Sequence, residues 1–427
     1  MGVVVIVFFL LLLLGMPVAF AIGVSGTVFF LVTPDIPFSI VVQKVVSSSQ
    51  SFTLLAIPLF VFAGNLMNNT GITSRLIKLS NVLTGHMYGN LGQISCVLST
   101  LMGGVSGSAN ADAAMECRVL GPAMTKRGYT KGYSAAVNGI TSLITATIPP
   151  SMGLIIYGSV GEVSIGRLFA GGFIPGFMMM LALMITIRIT AKKRGYLPER
   201  DRPAHPKEIG KAFVDSIWAL FFPVILILGI RFGIFTPSES GAFACMYAIF
   251  VGVVIYRELN LKTFFQTLRD TANDIGIIMI LVSLSGIFGY GIVYDRIPQA
   301  MASFLVNITS NPYILLLIII LLLIFCGMFV ETTVIALLLT PILLPVITSV
   351  GIDPVQFGLI MMTVVTMGIM TPPVGIALYT TSSIMGCKPE ETARESVPFI
   401  IAVIIVVIAC ILCKDLVLFI PNLIFGK

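Results

Sequence analysis

Charge is scarce in this chain. Of its 427 residues 10% are charged, 57% are hydrophobic, and the mean hydropathy is +1.04. Soluble domains are about one quarter charged and rarely more than half apolar. A water-soluble fold of this composition would leave large apolar patches exposed, so the bilayer is the solvent that fits. Histidine is scarcer still. His86 and His205 are the only two, and neither His-Glu-x-x-His nor Gly-x-Gly-Asp occurs, which disfavours an intramembrane enzyme. No Gly-x-x-x-x-Gly-Lys-Ser/Thr occurs either, which disfavours an ATP-driven pump. The seven cysteines form no paired Cys-x-x-Cys modules. Cys410 and Cys413 give one lone such spacing in an apolar segment, where small helix residues are the plainer reading. No basic segment precedes the first apolar run, so Gly2-Val-Val-Val-Ile-Val7 reads as a retained first span rather than a cleaved signal.

What is present is long and apolar. Residues 1–34, 45–74 and 132–161 carry no charge, and between Ile297 and Cys387 only Glu331 and Asp353 do. A spanning helix needs about 20 apolar residues, which predicts roughly ten to twelve crossings. The spans must be helical, because lipid offers no partner to an open strand edge and runs such as 314–325 do not alternate. The fold class expected is an all-α polytopic membrane protein.

Residues 192–211 are the one sustained polar stretch, with seven basic residues against Glu199, Asp201 and Glu208. The positive-inside rule makes this linker cytoplasmic, with Trp218 as an interfacial anchor just beyond it. It separates residues 1–191 from residues 212–427, and the halves match at a spacing of 223. Gly104 pairs with Gly327, Pro149-Pro150 with Pro372-Pro373, and Pro175 with Pro398. One register slip later, Gly153-Leu-Ile-Ile-Tyr157 matches Gly375-Ile-Ala-Leu-Tyr379. The basic segment 126–131 should be cytoplasmic, whereas its counterpart 349–354 lacks basic residues and should face outward. The two repeats are therefore expected to be inverted, an arrangement typical of secondary transporters.

Four stretches break the apolar pattern. In Leu101-Met-Gly-Gly-Val-Ser-Gly-Ser-Ala-Asn-Ala-Asp112, Gly103, Gly104 and Gly107 disfavour continuous helix while Ser106, Ser108 and Asn110 add polar groups. A re-entrant hairpin whose tip lies at membrane depth is favoured over simple small-residue packing. Phe325-Cys-Gly-Met-Phe-Val-Glu331-Thr-Thr-Val occupies the matching place, with Glu331 in register with Ser108. A carboxylate buried there costs at least about 2.5 kcal/mol on insertion scales and needs a compensating partner, unless Glu331 reaches water at an interface. Thr145-Ala-Thr-Ile-Pro-Pro-Ser-Met-Gly153 and Thr366-Met-Gly-Ile-Met-Thr-Pro-Pro-Val-Gly375 each remove two backbone donors. Each should split its span into two half-helices whose freed carbonyls suit Na⁺ and whose second N-terminus suits a carboxylate.

Together Gly-Gly-Val-Ser-Gly-Ser-Ala at 103–109, Ile-Pro-Pro-Ser at 148–151, Gly-Met-Phe-Val-Glu at 327–331 and Thr-Pro-Pro-Val-Gly at 371–375 resemble the large membrane subunit of the tripartite ATP-independent periplasmic (TRAP) transporters. The resemblance covers essentially the whole chain. It implies an inverted-repeat, elevator-type carrier with hairpins and broken helices, coupled to Na⁺. It also implies a small membrane subunit, expected here as a separate chain, and a periplasmic substrate-binding protein in a bacterial inner membrane. Carboxylates such as C4-dicarboxylates and sialic acid are the implied cargo. Substrate contacts are expected from Ser106, Ser108, Asn110, Ser151, Glu331 and Thr332, and Na⁺ ligands from Ser106, Gly327, Thr366, Gly368 and Thr371. A stand-alone carboxylate or ion antiporter shares the same broken helices and is the alternative.

Overall fold

The computed structural model describes residues 2–50, 52–103, 107–309 and 311–426, and every regular element among them is helical. The first half runs through α1 (Gly2–Leu13), α2 (Val18–Val32), α3 (Ser39–Ser49), α4 (Ala56–Asn69) and α5 (Ile72–Thr84). It continues through α6 (Asn90–Met102), α7 (Ala109–Lys126), α8 (Lys131–Thr141), α9 (Leu143–Thr147), α10 (Met152–Val160) and α11 (Ile165–Arg194). The second half has α12 (Pro206–Arg231), α13 (Pro237–Phe250), α14 (Leu261–Tyr294), α15 (Ile297–Ile308), α16 (Pro312–Gly327) and α17 (Thr332–Ser349). Then come α18 (Pro354–Gly368), α19 (Ile376–Met385), α20 (Pro389–Leu412) and α21 (Lys414–Phe425).

Local chemistry sets these ends. Thr236 and Glu239 form a reciprocal capping box on α13. Asp353 accepts from the amides of Val355 and Gln356 at the start of α18, where Pro354 is the first helical residue. Six helices among the described residues are long and apolar enough to cross a membrane, or seven if α8–α10 is one bent span. That is fewer than the ten to twelve expected from run length. Run length ignores breaks, and several apolar runs are cut by glycine or proline into helices of 10–17 residues.

The helices sort into two groups. Helix α14 packs along α2, α3 and α4, with α13 against α4 and α12 against α5. The other group wraps α7, α8, α18 and α19 with α11, α20 and α21. Helices α5, α10, α11 and α17 link the groups through α6, α4, α12 and α14 respectively.

Helix boundaries follow the sequence repeat. The first and last residues of α7, Ala109 and Lys126, match those of α17, Thr332 and Ser349, in the register that pairs the double prolines. The first residues of α8 and α18, Lys131 and Pro354, match in that register too. Pro175 in α11 and Pro398 in α20 keep it as well. The Gly-x-x-x-Tyr match does not superpose as cleanly. Gly153 lies inside α10, whereas Gly375 precedes α19 as its N-cap with φ +54°. The second break is simply longer, spanning residues 369–375 against 148–151.

Candidate functional site

Both double prolines break their helices. The span through α8 and α9 bends by 42° before resuming as α10. Pro149-Pro150 and Pro372-Pro373 are both cis. The first break is buried throughout, and Gly172 and Gly176 of α11 press against Thr147 and Ile148. The second differs: Pro372, Pro373 and Val374 are exposed.

Each break is laced to a hairpin turn. The amide of Met152 donates to the Gly107 carbonyl at 3.4 Å, and the amide of Gly375 donates to the Met328 carbonyl at 2.8 Å. Gly107 has φ +61°, and a methyl group there would lie 2.4 Å from the Pro150 carbonyl oxygen. Only glycine meets both demands.

These contacts bring four helix N-termini around one cavity. Ser108, Ala109 and Asn110 come from the start of α7, and Ser151, Met152 and Gly153 from the start of α10. Glu331, Thr332 and Thr333 come from the start of α17, and Ile376 from the start of α19. Thr366, Met362 and Ile369 form part of the remaining wall. The first amides of a helix have no partner inside it, and the macrodipole places about half a positive charge there. Ends of this kind suit an anion, and the starts of α7 and α17 are the more open pair, because at α19 the amides of Ala377 and Leu378 already donate to the Ile369 carbonyl.

Ser108 and Glu331 are the N-caps of α7 and α17, yet neither side chain bonds a helix amide. Ser151 does cap, accepting from the Leu154 amide at 3.4 Å. The Asn110 Oδ1 atom is buried and has no partner among the described residues. Glu331 is exposed on the cavity wall, with the Thr333 side chain as a hydrogen-bond partner.

The structure thus gathers Ser108, Asn110, Ser151, Glu331, Thr332 and Thr366 on one wall system. Ser106 lies outside the described residues. Gly327, Gly368 and Thr371 do not line the cavity. Gly327 and Gly368 touch each other where α16 and α18 meet; a methyl on Gly368 would lie 2.6 Å from the Gly327 carbonyl carbon. Thr366 donates to the Met362 carbonyl at 2.7 Å and Thr371 to the Met367 carbonyl at 2.9 Å. Their hydrogens are committed to the helix and their lone pairs remain able to meet a hard cation.

Sequence reasoning missed one feature. Asp112 and Glu116, one turn apart on α7, are both buried beneath the tip among hydroxyl groups of α6, α8 and α9. The i, i+4 spacing of the carboxylates was the available signal.

An all-helical, multi-pass membrane carrier built on broken helices is the class that this fold and cavity define. The chain belongs to the family described as Tripartite ATP-independent periplasmic transporter, DctM component, which residues 5–416 match. It is 37% identical to the sialic acid TRAP transporter large permease protein SiaM of Vibrio cholerae, over 97% of both chains. It is 34% identical to the 2,3-diketo-L-gulonate TRAP transporter large permease protein YiaN of Escherichia coli, over 95% of both. These relatives are permeases, not enzymes. Among solved structures, the YdaH transporter of Alcanivorax borkumensis shares the fold with a TM-score of 0.62, at 11% identity over 88% of each chain.

Proposed function

We propose that this chain is the large permease of a sodium-coupled importer for an organic carboxylate, working by an elevator motion in a bacterial inner membrane. The convergence of four helix N-termini on one cavity carries this reading, because it supplies positive potential for an anion without any basic side chain in the wall. Sialate and diketogulonate, the cargoes in the relatives' names, are both carboxylates.

In this mechanism a periplasmic binding protein hands the substrate to the cavity, where Ser108, Asn110, Ser151 and Thr332 meet it beside Glu331. Na⁺ bound by oxygens of Ser106, Gly327, Thr366, Gly368 and Thr371 completes the site. The loaded group of helices then moves against the group around α14, with a small membrane subunit at its side. Residues 1–191 and 212–427 act as inverted repeats joined by the cytoplasmic linker 192–211. Opposed copies let one site face either side in turn. Each charge moved down a 100 mV potential adds about 2.3 kcal/mol of drive.

The test is uptake of labelled carboxylates into proteoliposomes. Accumulation should need an inward sodium gradient, the binding protein and the small subunit together. Sodium-independent uptake would overturn the coupling, and uptake without the binding protein would select the stand-alone antiporter.

A further inference from the structure

Asp112 and Glu116 are 1% and 0% exposed, and none of the ion pairs among the described residues involves either. Ser99 donates to Glu116 Oε1 at 2.7 Å, while Ser95 and Thr141 both reach Oε2, the latter at 3.1 Å. Thr145 donates to Asp112 Oδ2 at 2.6 Å. The other Asp112 oxygen, Oδ1, is buried with no partner within normal hydrogen-bond distance among the described residues. Helix α6 brings Cys96 as its one titratable neighbour, and α7 itself brings Cys117, with Cys387 just past α19. Helices α8 and α9 bring Asn138, Thr141 and Thr145, which carry no charge.

Two bare carboxylates without a base are strongly unfavourable away from water, so the cluster calls for a positive charge. Oxygen spacing selects which one. Ser95 Oγ lies 2.9 Å from Asn138 Oδ1 and 2.7 Å from Thr141 Oγ1, and Thr141 Oγ1 lies 3.1 Å from Glu116 Oε2. Oxygens sharing a metal ion at roughly 2.4 Å sit about 3.4 Å apart in an octahedral shell. The spacing here is that of hydrogen bonds. No cluster of three or more His, Cys, Asp or Glu groups able to hold a metal occurs among the described residues. The hydrogens also fall short. Ser95 and Thr141 contribute one each, and Thr141 also faces the Val137 carbonyl at 2.9 Å. A further hydrogen on Glu116 Oε2 lets Ser95 accept from the acid and pass its own hydrogen to Asn138.

We propose that this cluster is a proton site, with Glu116 holding the proton and Asp112 the neighbouring carboxylate whose charge retains it. The site lies behind the anion cavity and shares no wall residue with it. It stands whether or not the cargo is a carboxylate. The transport cycle then answers to pH through Glu116 as well as to its coupling ion.

The test is infrared spectroscopy of the full chain, labelled with carboxyl-¹³C glutamate, at neutral pH in sodium-free and sodium-containing buffer. A protonated-carboxyl band that carries the label, disappears in Glu116→Gln and persists in Glu331→Gln supports the proposal. In proteoliposomes Glu116→Gln should also flatten the pH dependence of uptake. Absence of the band, its survival in Glu116→Gln, or its loss on adding sodium would overturn the assignment, the last in favour of a metal ion. Should Glu116→Gln fail to fold, Ser95→Ala removes the acid's acceptor without changing charge and must shift the band; an unmoved band overturns the proposal equally.

Discussion

Ser108 and Glu331 hold the same post in the two repeats, each the N-cap of an 18-residue hairpin helix that its side chain leaves uncapped. A serine in that position ordinarily bonds an amide of the first turn. Here the amides of both helices stay available to the cavity, and the side chains line it as well.

Ser108→Ala and Ser151→Ala should therefore separate. Removing a working cap costs about 1 kcal/mol, so Ser151→Ala should lower the unfolding temperature measurably. Ser108→Ala should leave that temperature within error of wild type while weakening substrate binding several-fold. Thermal unfolding with and without substrate reads both quantities. Equal destabilisation by the two variants would mean that Ser108 does cap its helix.

The crossing of Gly327 and Gly368 leaves no room for a methyl group, and Gly107 adds a positive φ to a backbone contact. Gly107→Ala and Gly368→Ala should each destabilise by about 1–3 kcal/mol, the range of overpacked cores, and should abolish uptake. A methyl added at Gly276 in α14 would meet no atom within 4 Å, so Gly276→Ala should be neutral or stabilising by up to about 1 kcal/mol. Denaturation of the three variants in parallel checks this. A neutral Gly368→Ala would show that the helices separate freely at that crossing.

Much of this was legible in the chain itself. The internal repeat marks helix starts at Ala109 and Thr332 because glycine-rich or polar turns precede both, and the double prolines mark the breaks because proline removes amides. Six of the residues expected from the broken segments and from the family resemblance meet at one cavity. Composition does not report packing distance, and this is where the reading stopped short. Gly327 and Gly368 are set back from the cavity by their mutual contact, and Glu331 reaches the surface despite the apolar runs around it. Asp112 and Glu116 were hidden for a different reason: their partners come from α6, α8 and α9, at separations of 17 to 33 residues that no local pattern records.

The two proline breaks should differ in their access to water. Val374 is 41% exposed and Ile148 is 3% exposed, although both adjoin a double proline. In a background with the native cysteines replaced, Val374→Cys should react with a water-soluble maleimide at least tenfold faster than Ile148→Cys. Substrate should slow the reaction at 374, because Gly375 is tied to the hairpin turn at Met328 beside the cavity. Equal rates at the two sites would show that both breaks open alike.

Thr371 offers a test of the sodium assignment that does not depend on the cavity wall. Its hydrogen is committed to the Met367 carbonyl, so the hydroxyl can present only lone pairs to an ion. Thr371→Ala should raise the half-saturating sodium concentration roughly tenfold, about 1.4 kcal/mol, the scale of one contact to a charged group. Thr371→Ser keeps the oxygen and should restore most of the affinity. Sodium titration of uptake at fixed substrate concentration decides the matter. An unchanged requirement in Thr371→Ala removes that residue from the ion site.

The linker provides the last contrast, between a tether and a loose loop. Glu199 accepts from Asn90 at 3.1 Å and pairs with Arg127 at 3.2 Å, while the amides of residues 199 and 200 donate to the Gly85 carbonyl. Tyr196 stacks on Tyr129 at 4.1 Å between ring centres. The stretch of chain from 195 to 200 is thus laid across the ends of α5 to α8. An exposed ion pair contributes only about 0–1 kcal/mol, so Glu199→Ala should barely change global unfolding. It should nonetheless raise the rate of tryptic cleavage after Arg200 several-fold, because local opening no longer breaks the pair. Cleavage in inverted but not in right-side-out vesicles would also place the linker in the cytoplasm. Cleavage only from the outside would reverse the orientation of every helix.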